Sequence, residues 1–294
     1  MEDKTLSNAP VIAKKRSQLG MIWHQLLKNK LAVCGLIIIL GIILASILVS
    51  IFVDHDTIIV HDLKNKCLPP SLQHPCGTDS YGRDLLLRLI YGARTSLFIG
   101  FSSVLGAMIL GGAIGALSGF YGGKFDIIVM RFIDMLMSIP STLFAICVVS
   151  ALGQGVVNLL LAIMISLIPQ FARIVRSSVL TIKNGEFIEA ARCGGTSTAR
   201  IIVRHILPNA MGPIIVQATL ALGGVILTAA SLSFIGLGVQ PPEPEWGAIL
   251  TEGQEYLREY PNLVIFPGLN IMLAVLACNF LGDGLRDALD PKLK

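Results

Sequence analysis

The stretch LAVCGLIIILGIILASILVSIFV, from Leu31 to Val53, decides the fold class. It carries no charge over 23 residues, and a helix needs about 20 apolar residues to cross the hydrocarbon core of a bilayer. The run is longer than the apolar region of a secretory signal peptide, and no A-x-A-like cleavage site follows it. We therefore predict a first transmembrane helix that remains in the protein as a signal anchor.

The composition of the chain agrees with a membrane protein. Hydrophobic residues make up 53% and charged residues 14%, with a mean hydropathy of +0.73. Soluble proteins are about 25% charged, so a soluble enzyme and a disordered chain both fit poorly. The net charge of +4 is small and no basic stripe is interleaved with aromatic residues, which argues against nucleic acid as a partner.

Further runs without charge predict the other membrane crossings. The longest of them is interrupted by Leu152-Gly153-Gln154-Gly155, a turn signal. This run, Met135–Ala172, gives two helices if the first of them starts near Ile127. The two helices then cover about 127–151 and about 156–172, each long enough to cross. The count is then six, and the sequence predicts an all-α integral membrane protein with six transmembrane helices. The additional runs are Thr95–Gly123, Met135–Ala172, Asn209–Pro242 and Pro261–Gly282.

Lysine and arginine predict the orientation across the membrane. They are concentrated in the N-terminal tail and in the loop after the fourth helix, whereas the loop after the fifth helix is acidic apart from Arg258. Because cytoplasmic loops carry the excess of Lys and Arg, both termini are predicted to be cytoplasmic. The basic residues of the tail and the loop are Lys4, Lys14, Lys15, Arg16, Lys28, Lys30, Arg173, Arg176, Lys183, Arg192, Arg200 and Arg204.

This topology divides the chain into five parts. The segment before the second helix is the exception to the charge pattern, because it carries both signs and must lie outside if the first crossing is real. The predicted parts are a cytoplasmic tail (1–30), the first helix (31–53), an extracytoplasmic segment (54–94), a five-helix core (95–283) containing the cytoplasmic loop 173–208, and a cytoplasmic tail (284–294).

Several residues within the predicted helices bear on packing. Arg131 and Asp134, near the start of the third helix, are spaced to pair with each other at the membrane surface, and a role in gating is the alternative. Gly111, Gly115 and Gly119 repeat every four residues on the second helix and predict close packing against a neighbour. Kinks or helix ends are expected at Pro140, Pro169 and Pro267.

Motifs for catalysis or nucleotide binding are missing from the sequence. It contains no G-x-x-x-x-G-K-[ST] phosphate loop, no H-E-x-x-H, no G-x-S-x-G and no C-x-x-C. Asp and Glu scarcely enter the predicted crossings, which argues against a proton relay. We therefore expect no enzymatic activity, catalytic residue, cofactor or metal in this chain, and a partner would supply the energy for uphill transport.

The loop 173–208 is the candidate contact with that partner. Within it, Glu186–Arg192 form an amphipathic pattern with acids in the first turn, and Gly194-Gly195 end the helix. A second helical stretch over 197–206 is predicted to end at Leu207-Pro208, where the chain re-enters the membrane. A short helix with small alanines on one face can sit in a groove on another protein.

This loop resembles the EAA loop of bacterial ABC importer permeases. Glu189-Ala190-Ala191, Gly195 and Ile206-Leu207-Pro208 match its pattern E-A-A-x-x-x-G followed by I-L-P. In that family the loop forms the coupling helix that docks in a cleft of the ATP-binding subunit. The resemblance implies that Glu189 docks or stabilises the loop, that the alanines allow close approach and that Gly195 permits the turn. The implied coupling residues are Glu186, Glu189, Ala190, Ala191, Gly195, Leu207 and Pro208.

Three other stretches resemble the second permease of dipeptide, oligopeptide and glutathione importers. The first is CGTDSYGRD at 76–84 with YGARTSL at 91–97, the second covers 231–248, and the third is NFLGDGLRDALDP at 279–291. The likeness runs from about residue 30 to the C-terminus. The resemblance is to the dipeptide, oligopeptide and nickel family of ABC importer permeases, and it implies the type I permease fold.

The resemblance also implies partners and a location. These are a second homologous permease, two ATP-binding subunits that hold ATP and Mg, an extracytoplasmic substrate-binding protein and the lipid of a bacterial inner membrane. The expected cargo is di- or oligopeptides, with nickel or other metal chelates and glutathione as alternatives. A passive channel or a membrane scaffold is an alternative of a different class, which would need neither the EAA loop nor an ATPase.

The extracytoplasmic segment is rich in histidine and cysteine. His55, His61 and His74 lie there with Cys67 and Cys76. The two cysteines could form a disulfide in an oxidising compartment. Two free or partly buried thiols are an open alternative, and a metal site is a third, although the spacing matches no standard ligand pattern.

Overall fold

The computed structural model describes residues 18–289, and helices build the fold. Within this range no strand forms, and the nearest feature is an isolated antiparallel bridge between Thr78 and Asp84. Parts of both predicted tails lie outside the described residues, namely 1–17 with Lys4, Lys14, Lys15 and Arg16, and 290–294.

The helices of the described chain are numbered in order. A 3₁₀ turn at Leu63–Asn65 lies between α3 and α4, and a π-helical turn at Ile202–Ile206 joins α9 to α10. The α-helices are α1 (Gln18–Lys28), α2 (Lys30–Phe52), α3 (His55–Ile59), α4 (Leu85–Tyr121), α5 (Gly123–Met137), α6 (Ser141–Leu152), α7 (Val156–Ile182), α8 (Glu186–Cys193), α9 (Thr198–Ile201), α10 (Leu207–Phe234), α11 (Trp246–Gln254) and α12 (Asn262–Leu289).

The prediction of six crossings is confirmed, with one of them broken. Five helices are long and apolar enough to cross a bilayer: α2, α4, α7, the run Thr198–Phe234 and α12. The pair α5 and α6, which are bent by 89° relative to each other, gives the sixth crossing when the two helices are counted as one broken span. The break lies at Pro140, whose ring removes a backbone donor and restricts the residue before it. The continuous third helix expected over about 127–151 is therefore wrong.

The structure departs from the prediction more in the lengths of the helices than in their number. α2 agrees with the predicted first helix, but α4 begins at Leu85 rather than Thr95, so the end of the predicted extracytoplasmic segment is helical. α7 continues to Ile182, beyond the expected end at Ala172. The physical reason is that a charge-free run marks the hydrocarbon layer, whereas the helical hydrogen bonds continue where charged side chains reach water. Pro169 and Pro267 lie inside α7 and α12 and end neither helix.

The predicted glycine face packs α4 against α7. A Cβ at Gly115 would lie 2.2 Å from the backbone oxygen of Ala172, and one at Gly111 would lie 2.6 Å from that of Ile168. These distances leave no room for any side chain. Because lipid tails are as apolar as leucine, such backbone contact is a main source of attraction between membrane helices.

The bundle has two ends, named here for the helices that lie there. At the α11 end, α11 packs beside the start of α4, where Gly92 faces the backbone of Pro244. At the α8 end, Arg192 of α8 lies over the ring of Phe120 near the end of α4, 5.3 Å from its centroid. α4 spans the distance between the two ends.

Candidate functional site

The predicted short helix in the loop after the fourth crossing forms as α8. Gly185 precedes it, Glu186 and Glu189 lie in its first turn, and Arg192 lies in its last turn. Acids near the N-terminus and a base near the C-terminus complement the helix dipole. The side chains of Glu186, Glu189 and Ala190 are exposed, and Ala191 is half-buried. The exposed surface of α8 therefore carries two acids and a small alanine, beside the half-exposed ring of Phe187.

Ile188 anchors this exposed helix to the bundle. Its side chain is fully buried, in one cluster with Val175 and Val179 of α7, Ile206 before α10 and Ala116 of α4. A large apolar side chain in such a site contributes about 1.5–3 kcal/mol. This burial attaches α8 to the apolar cluster formed at the ends of α4, α7 and α10. Ile188 was not among the residues predicted from the sequence, although its place between the two glutamates of an amphipathic helix indicates burial.

Gly195 ends the helix in a conformation that favours glycine. Its φ is +73°, and a Cβ there would meet nothing within 4 Å. Its N–H donates to the Arg192 oxygen at 3.0 Å, and the Thr196 N–H donates to the Ala191 oxygen at 3.1 Å. These bonds satisfy carbonyls left open at the helix end. Backbone conformation, not lack of space, is therefore what demands glycine.

The end of the predicted loop is helical rather than broken. α9, the π turn and α10 form one apolar helical run, Thr198–Phe234. Leu207 and Pro208 lie inside this run, so a helix end at these residues is wrong. Leu207 donates its N–H to the Ile202 oxygen across the π turn. Pro208 follows at a point where the π turn has already shifted the regular α-helical hydrogen bonds. The loop proper is thus 183–197, shorter than the expected 173–208.

A buried ion-pair cluster at the α11 end was missed by the sequence reasoning. It consists of Asp79, Arg83, Arg88 and Glu252. Arg88 Nη1 donates to Asp79 Oδ2 at 2.6 Å and to Glu252 Oε2 at 2.5 Å, and Arg83 Nη2 reaches the same Glu252 oxygen at 2.6 Å. All four side chains are at most 9% exposed. The signal in the sequence was the mixed charge of 54–94, which we interpreted only as an extracytoplasmic segment and not as a set of buried partners.

The same end holds α11 tightly against α4. Glu245 caps α11 by accepting from the N–H groups of Gly247 and Ala248, at 3.0 and 2.9 Å. Its carboxylate also accepts from Ser96 Oγ of α4 at 3.1 Å. The indole of Trp246 is fully buried and donates to the Leu89 oxygen at 2.9 Å. The acidic loop after the fifth crossing is therefore partly interior.

A second charged group joins α5 to α7 near the α8 end. Arg176 binds Asp126 with two bonds of 2.6 Å, and Arg173 binds Asp134 at 2.6 Å. The predicted partner of Asp134 was Arg131, so that pairing is corrected. A helix neighbour three residues away is outcompeted by an arginine on the facing helix, which can reach the carboxylate directly.

Cys67 and Cys76 are free thiols in the structure. Both are buried in the cluster at the α11 end. Burial raises the pKa of each thiol above its ordinary value, because the charged thiolate is poorly solvated there. In the described part of the chain no group of three His, Cys, Asp or Glu side chains is arranged to hold a metal ion. Of the three alternatives, the structure has two buried thiols.

Comparison with known proteins agrees with this architecture. A family described as "Binding-protein-dependent transport system inner membrane component" matches residues 111–294, more than half of the chain. The chain belongs to this family. The start of this permease, residues 17–70, also matches the "N-terminal TM domain of oligopeptide transport permease C". Membership of this family favours an importer permease over the two alternatives of a different class, a passive channel and a membrane scaffold.

Curated relatives match the permease over nearly its whole length. It is 47% identical to the dipeptide transport system permease protein DppC of Alkalihalophilus pseudofirmus, over 92% of this chain and 89% of the relative. It is 43% identical to the glutathione transport system permease protein GsiD of Pectobacterium atrosepticum, over 98% and 97%. A di/tripeptide permease DppC of Pseudomonas aeruginosa is 42% identical, over 95% and 93%.

A solved structure shares the fold. The chain resembles the MetNI methionine ABC transporter in inward-facing conformations, with a TM-score of 0.58 over 70% of this chain and 98% of that chain. Sequence identity is 20%, so this likeness concerns the fold alone. The predicted type I importer permease fold is confirmed.

Proposed function

We propose that this permease imports di- or oligopeptides across a bacterial inner membrane and is driven through α8 by ATP-binding subunits. The single observation that carries the coupling part is the pairing of an exposed Glu189-Ala190 face with a fully buried Ile188 on one short helix. The exposed face fits a cleft on another protein. The buried side chain conveys its displacement to three membrane helices.

The proposed assembly contains a second, homologous permease, two ATPases that bind ATP and Mg, and an extracytoplasmic binding protein. In the proposed orientation the α8 end faces the cytoplasm. The basic residues Arg173, Arg176, Lys183 and Arg200 lie toward that end, which supports this orientation. Glu186, Glu189, Ala190 and Gly195 are the proposed coupling residues, with Ala191 on the bundle side. Leu207 and Pro208 shape the start of α10 rather than the contact itself.

Two exposed alanines between α7 and α10 provide the test of coupling. Ala190 lies on α8 and Ala199 on α9, and both side chains are exposed, so tryptophan fits at either without disturbing the core. In the complete reconstituted complex, Ala190→Trp should abolish ATP-driven uptake and weaken co-purification of the ATPase. Ala199→Trp should retain most of both. Equal loss in the two variants, or normal uptake with Ala190→Trp, contradicts a contact centred on α8.

Glutathione is the second candidate cargo, because glutathione permeases stand at 43% identity beside the dipeptide permeases at 42 and 47%. Glutathione is itself a tripeptide with one γ-linked bond, so one path can fit both. Uptake of a labelled dipeptide by the complex with its own binding protein, with unlabelled glutathione as competitor, separates the two. Dipeptide uptake that glutathione does not reduce supports the peptide assignment. A complex that takes up labelled glutathione but no labelled dipeptide contradicts it.

A further inference from the structure

A charged cavity between α5 and α7 has chemistry that the proposed transport function does not use. It has a volume of about 360 Å³ and is lined by Asp126, Ile127, Arg131, Asp134, Arg173 and Arg176, with Met130 between them. Three guanidinium groups face two carboxylates, which leaves one positive charge in excess. A cavity with spare cationic donors selects an anion.

Arg131 supplies that excess. Both carboxylates are already engaged, Asp126 by Arg176 and Asp134 by Arg173. In the described part of the chain Arg131 forms no ion pair, and its side chain is exposed. Arg173 remains about half exposed despite its partner. Two guanidinium groups at one cavity thus keep donors available for a ligand.

The depth of the cavity places it at the edge of the hydrocarbon layer. Asp134 directly precedes the charge-free run Met135–Ala172, and Arg173 directly follows it. The other edge is marked on α4 by Arg94, next to Thr95. From Thr95 to Gly115, which packs on Ala172, the helix rises about 30 Å, the thickness of the hydrocarbon core. Phosphate groups of lipids lie at this level.

The surroundings of the cavity are apolar and open. Ile127 and Ile128 on α5 are 61% and 69% exposed, and Met135 is 62% exposed. These side chains flank Arg131 on the outside of the bundle. A path for hydrophilic cargo would present polar groups there instead, whereas acyl chains pack on isoleucine and methionine. Basic pockets between membrane helices that open beside an apolar surface bind anionic lipid headgroups.

The geometry points to a site for the phosphate headgroup of an anionic phospholipid, held by Arg131 and Arg173 with its acyl chains along the exposed face of α5. Asp126 and Asp134 limit the affinity of this site for the headgroup, because each carboxylate neutralises one arginine. Removal of a carboxylate should therefore increase binding and removal of Arg131 should reduce it. A residue whose loss merely damaged the fold would reduce binding in both cases.

Native mass spectrometry of the intact purified complex, titrated with phosphatidylglycerol or phosphatidylcholine, tests this site. We expect the wild type to prefer phosphatidylglycerol. Arg131→Gln should weaken the binding of that lipid about fivefold, and Asp134→Asn should strengthen it. Phosphatidylcholine binding should be unchanged in both variants. Lys124→Gln is the matched control, because it removes a positive charge from the same helix outside the cavity.

Three results would overturn the assignment. The first is an absence of preference for phosphatidylglycerol in the wild type. The second is an equal loss with Lys124→Gln and Arg131→Gln, which would mean a general surface attraction. The third is complete displacement of phosphatidylglycerol by millimolar inorganic phosphate, which would assign the cavity to a free anion.

Discussion

The guanidinium of Arg88 and the carboxylate of Glu252 are 164 positions apart in the sequence and meet at 2.5 Å in the interior of the α11 end. Arg88 is fully buried, and the Glu252 side chain is 9% exposed. Asp79 and Arg83 complete a neutral group of two cations and two anions. The group joins the segment before α4 to α11, at the α11 end of the bundle.

Loss of Arg88 should destabilise the permease strongly. Arg88→Met leaves two buried carboxylates with one cation, and breaking a buried pair in this way costs about 3–5 kcal/mol. Thermal unfolding of the purified chain in detergent, followed by tryptophan fluorescence, measures the change. The double variant Arg88→Met with Glu252→Gln should regain part of the loss, since it restores neutrality. An unfolding temperature equal to that of Arg94→Met, an exposed arginine on the same helix, would show that the cluster does not stabilise the fold.

Gly115→Ala should disturb the contact between α4 and α7, whereas Gly112→Ala should not. A methyl group at Gly115 would lie 2.2 Å from the Ala172 oxygen, while one at Gly112 would lie 3.9 Å from a Val175 methyl group. Overpacking of this kind costs about 1–3 kcal/mol. Alanine at an unstrained helical glycine stabilises by about 0.5–1 kcal/mol. The same unfolding assay compares them, and a Gly115→Ala variant as stable as Gly112→Ala contradicts the packing argument.

Gly195→Ala should loosen the end of α8 without blocking any contact. The cost comes from its φ of +73°, about 1–2 kcal/mol for an L-residue. Hydrogen exchange of the α8 amides should then be faster by about fivefold to thirtyfold, and Gly195→Asn should lie between, because Asn tolerates this region. Gly194→Ala is the control, since its φ is −75°. Faster exchange in the control to the same degree would rule out the conformational explanation.

Cys67 and Cys76 should react slowly with thiol reagents near neutral pH. Burial limits access, and the raised pKa of both thiols lowers the thiolate fraction at every pH below it. Their alkylation should therefore accelerate only as the pH rises past the ordinary thiol range, and at neutral pH it should be slower than alkylation of Cys193 on α8, which is exposed to the reagent. Peptide mass spectrometry at several pH values follows each site. Labelling of Cys67 and Cys76 that requires prior reduction would instead demonstrate the disulfide.

The short helix α8 could be predicted from the sequence because its determinants are local. Acids in the first turn, two alanines and a glycine stop lie within ten residues, and the dipole and the φ requirement act over the same distance. The break at Pro140 is local too. The pairing of Asp134 was predicted wrongly because neighbours along one helix are visible in the sequence and neighbours on a facing helix are not.

The sequence by itself determined that this protein is a six-crossing permease, since the length of apolar runs against bilayer thickness and the motifs of one loop depend on residues close together in the chain. The tertiary structure alone decided which charges meet, both in the interior and at the surface. Arg88 reaches Glu252, and Arg173 reaches Asp134, only after separate helices pack. Charges buried in a low dielectric must find their partners in space, and no local pattern records the distance between two helices.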